Sequence, residues 1–198
     1  MKIHAGCHKK SYTHKIDDSI IRAINIERIR DNKKNLGKTE LMPATEVDFI
    51  NPVITSLEEI FDTMLNCKIM RTGLALKESN TALHPVSGII GVGGKSAIGT
   101  VVLTMSEDVA LKASSTLLMT NVTELDEDVM DAVGELTNMV AGATKSKLAQ
   151  YNLSMGLPSV FHGSNCRIHF PTNAHPIAIP FQSPWGPLAL EVGFTFMG

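Results

Sequence analysis

DEDVMDAVGELTNMVAGATKSK, residues 126–147, holds its apolar residues at helical spacing. At about 100° per residue, Val129, Ala132, Val133, Leu136, Val140 and Ala143 share one face. Asp131, Glu135, Asn138, Gly142 and Lys145 share the opposite face, within roughly 80° of arc. A helix from about Leu125 to Gln150 is expected, roughly 39 Å long. As a bare pattern Glu135-x-x-Asn138 carries no weight, because eleven Glu and eleven Asn in 198 residues make one such pair close to chance. Its setting carries the weight. The competing reading is a solvated helix face, yet Asn and Gly are poor helix-interior residues, Gly by up to about 1 kcal/mol relative to Ala. A face that met only water would be more stable with Lys, Glu or Ala there, so something else uses this one.

Upstream of the long helix, Asn51-Pro52 is expected to open a helix with Val53, Ile54, Leu57, Ile60, Phe61, Met64 and Leu65, proline being tolerated in a first turn. Residues 68–76 read as a strand. Residues 86–92 and 97–105 read as a hairpin about Gly93-Gly94-Lys95-Ser96. Ser106 then caps a helix to about Met119, with Glu107 and Asp108 where the helix dipole favours them. Downstream, residues 154–162, 167–170 and 177–181 are apolar segments set off by Pro171, Pro176 and Pro180. Leu188, Leu190, Val192, Phe194 and Phe196 alternate with Ala189, Glu191, Gly193 and Thr195, a period of two with one face buried. The expected class is α/β in the α+β sense: an antiparallel-rich sheet covered by helices, with one long helix carrying the site.

Length and composition fit one soluble domain, with 43% hydrophobic and 19% charged residues. A net charge of −2 argues against nucleic acid as the main partner. No apolar run reaches membrane-helix length and no secretion signal opens the chain. Cys7, Cys67 and Cys166 are odd in number and far apart, which suits a reducing cytoplasm and no disulfide framework. Residues 1–45, rich in Lys, Arg, His and Asn, are expected to be an extension ahead of a 46–198 domain, either poorly ordered or carrying a short docked helix over 17–30. Within it His4, Cys7, His8 and His14 match no structural zinc spacing.

Other motifs fall away. Gly94-Lys95-Ser96 resembles the end of a phosphate loop, but Ile89 stands where the first glycine belongs and a hairpin replaces the helix. Gly91 and Gly93 fail the dinucleotide fingerprint at Ser96. His84, His162, His169 and His175 are scattered without i,i+4 pairing, and no Ser or Cys has a nucleophile setting.

The segment DAVGELTNMVAGATKSKL, 131–148, resembles the CheX proteins of the CheC/CheX/FliY phosphatase family. The resemblance extends to a helix over 49–65, to Ser87-Gly88-Ile89-Ile90-Gly91 with Gly99-Thr100-Val101, and to Leu157-Pro158-Ser159-Val160. It ends on the closing strands at 177–181 and 186–188. It spans about 47–198 and leaves the first 45 residues unassigned.

That resemblance implies a cytoplasmic phosphatase for the aspartyl phosphate of a CheY-like response-regulator receiver. Glu135 would pair with the receiver's active-site lysine, and Asn138 would reach the acyl phosphate and position water. The Mg²⁺ would come from the receiver, so no cofactor or metal of this chain's own is implied. CheC members carry two such motifs; this chain has no second Glu-x-x-Asn, which fits CheX and a homodimer. The residue chemistry agrees: a carboxamide donates and accepts at once, and so orients a water without deprotonating it. Gly142 would let the receiver approach closely, with Asp131 and Lys145 at the rim. The alternative is a non-catalytic adaptor of the same fold that binds a receiver, and such a protein would have no need of Asn138. A third reading, a small-ligand module, rests only on the His-rich arm.

Overall fold

Runs of β-branched and apolar residues on either side of a glycine-containing turn build the centre of the sheet in a computed structural model that describes residues 46–197. Strand β3 (Val86–Gly93) pairs with β4 (Ala97–Met105), in register from Val86↔Met105 to Gly93↔Ile98, and Gly94 N–H donates to Ala97 O at 2.8 Å to close the turn. Lys95 and Ser96 thus belong to a hairpin, as expected from the failed phosphate-loop spacing. Strand β4 pairs on its other side with β8 (Gly186–Phe196), and β8 with β7 (Ile177–Ser183). Short strands finish both edges. The edge of β7 carries β1 (Met70–Arg71) and β2 (Ala75–Leu76), and that of β3 carries β5 (Ser154–Met155) and β6 (Ser159–His162). Every pairing is antiparallel, so the α+β architecture expected from the sequence is the one observed. The expected extension over 1–45, with its 17–30 helix and its His and Cys residues, lies outside the described residues.

Among the described residues three α-helices pack on one face of the sheet: α1 (Glu46–Leu65), α2 (Glu107–Leu117) and α3 (Glu127–Lys147). Ser106 caps α2 and Asp126 caps α3, each side chain accepting an N–H from Val109 and Val129 respectively. Helix α1 begins five residues before the expected start and holds Pro52 in its interior. The N-terminal end of the helix is held by aromatic packing: Phe49, fully buried, meets Tyr151, Phe194 and Phe196 in tilted and edge-on pairs at centroid distances of 4.8, 4.7 and 5.2 Å.

Four expectations are corrected. The 68–76 strand is two short pieces interrupted at 72–74, and the 154–162 segment is broken at Gly156-Leu157-Pro158. Residues 167–170 form no strand, only an isolated bridge from Arg167 to Thr81. Most consequentially, β8 is buried on both faces from Leu188 to Phe194. Its second face is roofed by residues 77–84 and 166–172. Lys77 Nζ lies 2.6 Å from Glu191 Oε2, with side chains 3% and 0% exposed, and Leu83 N–H donates to Glu191 Oε1 at 2.8 Å. Ile168 is buried, and a methyl group at Gly193 would stand 2.8 Å from the Phe170 ring. Glu191, whose place in the alternation suggests solvent, is instead neutralised in the interior.

Candidate functional site

Helix α3 is gripped on two flanks, and this decides which residues are left outside. Val129, Val133, Leu136 and Val140 are sunk in the core at 0–1% exposure. On the next flank the sheet comes unusually close: a methyl group at Gly88 of β3 would land on Thr137 Oγ1. Thr137 is itself buried and donates to Val133 O at 2.8 Å. Gly134 admits β6, since a Cβ there would stand 3.3 Å from Val160 Cγ2 and 3.9 Å from Pro158 Cγ. At the C-terminal end Lys147 Nζ meets Glu59 Oε2 of α1 at 2.7 Å, an exposed pair of small energetic value.

What remains outside is the stripe expected from the sequence. Asp131, Glu135 and Lys145 are exposed, and Asn138 and Gly142 are half-buried along the same face. Ala143, expected on the apolar face, is also only half-buried, while Gly134, Thr137, Ala141 and Thr144 join the buried side. The side chains of Asp131, Glu135, Asn138 and Lys145 make no hydrogen bond or ion pair with another described residue. Beyond Gly142 there is open space among the described residues: a Cβ built there meets none of them within 4 Å. The arrangement is a carboxylate, a carboxamide one turn on, and a bare backbone position one turn further.

Its electrostatics point the same way. Glu127, Asp131 and Glu135 repeat at i,i+4 spacing, all exposed and none paired with a described cation. Like charges so spaced destabilise a helix by a few tenths of a kcal/mol per pair. The helix dipole compensates Glu127 in the first turn and does little for Glu135. A cationic partner would relieve the repulsion.

Other chemistry is sparse. Among the described residues no group of three or more His, Cys, Asp or Glu could hold a metal ion. His162 Nε2 sits 2.9 Å from Glu107 Oε1 at the surface. Burial pushes the His84 imidazole below its usual value and the Cys67 thiol above its own.

The chemotaxis phosphatase CheX family matches residues 86–182, which include the whole stripe. A CheC-like superfamily protein from Shewanella is 35% identical, with 76% of this chain and 99% of that one covered and a TM-score of 0.70. The chain belongs to the CheX family. A chemotaxis protein CheX from Vibrio vulnificus is 33% identical over 75% of this chain and 99% of its own, with a TM-score of 0.69. A chain from the CheX–CheY–BeF3–Mg²⁺ complex of Borrelia burgdorferi covers 77% of this chain and 100% of itself at a TM-score of 0.61. Its 21% identity speaks for the fold alone. The comparison with curated proteins yields no match. No helix among the described residues of this CheX-family chain is long and apolar enough to cross a membrane.

Sequence reasoning missed the residues that seat the site: Gly88, Gly134 and Thr137, whose contacts within the fold set the depth of α3. An isolated glycine inside a strand is a signal of close backbone approach, and Gly88 carried that signal.

Proposed function

We propose that this CheX-family chain hydrolyses the aspartyl phosphate of a CheY-like receiver domain. The observation that carries the reading is the pairing of Glu135 and Asn138 on the open face of α3, one turn apart and without partners among the described residues. The Borrelia complex, in which a CheX is held with CheY, BeF3 and Mg²⁺, supports the choice of partner. An acyl phosphate is already activated. Water attacks phosphorus, the bond to the acyl oxygen breaks, and the products are inorganic phosphate, the free aspartate carboxylate and a proton. The receiver, as substrate, brings the Mg²⁺ that offsets charge on the phosphoryl oxygens.

What this chain adds is position. The Asn138 carboxamide accepts one hydrogen from the water and can donate to a phosphoryl oxygen, which holds the nucleophile in line without a general base. Glu135 docks on the receiver's lysine, a charge pair that gains strength as the interface excludes solvent. Asp131 and Lys145 stand at the rim, and Gly142 lets the receiver lie close to the helix. In this reading the protein works in the cytoplasm as a homodimer and needs no cofactor of its own.

The test is the lifetime of a phosphorylated receiver with Mg²⁺ present, alone and with catalytic amounts of the wild-type chain, Asn138→Ala or Glu135→Lys. Faster phosphate loss is expected with wild type. Asn138→Ala should bind the receiver yet leave its lifetime unchanged, and Glu135→Lys should fail to bind. Wild-type turnover by Asn138→Ala would defeat the positioning mechanism. Binding without acceleration by any form would make the protein an adaptor. Light scattering that returns a monomer at micromolar concentration would remove the homodimer.

A further inference from the structure

Leu157 is 91% exposed, and among the large hydrophobic residues described only Met119 is more so. A single exposed leucine is ordinary in itself. Its mounting is not. Leu157 sits in the three-residue link between β5 and β6, with Gly156 before it and Pro158 after it. Gly156 N–H is tied to Gly91 O at 2.9 Å, Pro158 has a fixed φ, and Ser159 enters the ladder opposite Ile89. The side chain is therefore presented on a short link anchored at both ends.

The link also lies beside the site. Pro158 and Val160 pack onto Gly134, and Gly134 is four residues before Asn138, so the two share one flank of α3 a turn apart. Leu157 precedes Pro158 directly in the chain, so its backbone adjoins the flank of α3 that carries Gly134.

We propose that Leu157 is a specificity contact of the phosphatase site: it packs on an apolar patch of the receiver next to the phosphoaspartate pocket while Glu135 holds the lysine. The inference rests on the proposed function. It adds a second, apolar anchor at the Asn138 flank, which fixes the rotation of the receiver about the Glu135 ion pair. Charge selects a receiver-like partner, and Leu157 discriminates among receivers.

The experiment measures phosphate release by the full chain against concentration of a CheY-like receiver kept phosphorylated by a small-molecule phosphodonor, for wild type, Leu157→Ser, Leu157→Met and Asn138→Ala. Losing a buried leucine contact should raise the KM of Leu157→Ser by about tenfold or more with kcat unchanged. Leu157→Met should restore the wild-type KM, and the unfolding midpoint should not move, because the side chain is exposed. An unchanged KM in Leu157→Ser, with Asn138→Ala still inactive, overturns the inference and leaves the proposed function standing. A fall in kcat at constant KM overturns it as well, since the residue would then act on the chemistry. A shift from dimer to monomer with KM held would assign Leu157 to self-association instead. No phosphate release by wild type removes both readings.

Discussion

Gly142 offers a test in which stability and function should move in opposite directions. It lies in the interior of α3, where glycine costs up to about 1 kcal/mol relative to alanine. Many helical glycines are retained because a neighbouring element leaves no room for a side chain. Here that explanation fails, since a Cβ at position 142 meets nothing within 4 Å. Gly142→Ala should therefore stabilise the fold by most of that amount, about 2–4 °C in Tm for a chain of this size. Gly142→Gln should do nearly as well, because Gln is within a few tenths of a kcal/mol of Ala in helix propensity.

Docking should respond the other way. If the receiver lies against the bare backbone at this position, a glutamine side chain must be accommodated in a packed interface, at a cost comparable to overpacking, about 1–3 kcal/mol. Each 1.4 kcal/mol is tenfold, so KM for the phosphorylated receiver should rise by about fivefold to a hundredfold. Alanine should fall between glycine and glutamine. The assay is thermal unfolding alongside phosphate release for the three forms. A glutamine variant that is more stable and keeps the wild-type KM would refute the close-approach role of Gly142. One that is less stable would mean that the helix is constrained here by a contact within the fold.

Two further predictions concern how α3 and the sheet are held. Gly88→Ala places a methyl group on Thr137 and should cost about 1–3 kcal/mol, read as a lower urea midpoint. It should also depress phosphatase activity by displacing Glu135 and Asn138 together. Adding Thr137→Ala should recover part of both losses, and a midpoint unmoved by Gly88→Ala alone would show that α3 is not seated by this contact. On the far side of the sheet, Glu191→Gln leaves the Lys77 cation buried without its counter-charge and should cost about 3–5 kcal/mol. Adding Lys77→Met should restore most of it, since the amide still accepts from Leu83 N–H and no charge remains, and kcat should be untouched. A single-variant cost near zero would mean that water reaches the pair.

The stripe on α3 was legible in the sequence because an amphipathic helix reports both of its sides. Once Val129, Val133, Leu136 and Val140 point inward, the opposite arc is fixed by the 3.6-residue repeat alone. The hairpin was legible for the same kind of reason, its period and its turn residues being local. The roof over the second face was not. Glu191 reads as the polar side of an alternating strand, and what buries it is Lys77 together with an N–H from Leu83, 108 residues away. No local pattern encodes a partner at that distance. Residues 167–170 failed for a related reason: a short apolar run looks the same whether it pairs edge to edge or, like Ile168, lies buried flat on a sheet.

Three glycines around α3 show where such reading ends and tertiary structure begins. Gly88 and Gly134 lack side chains so that β3 and β6 can close on one flank of the helix, and Gly142 lacks one beside open space. By propensity the three are equivalent weaknesses. By neighbours they divide into two that place the helix and one that leaves its outer face bare. The first two set where Asn138 stands. The third meets nothing among the described residues, which is why a close-lying receiver is the use proposed for it. That asymmetry joins the open, unpartnered pair of Glu135 and Asn138 as a physical ground for reading this face of α3 as a docking surface.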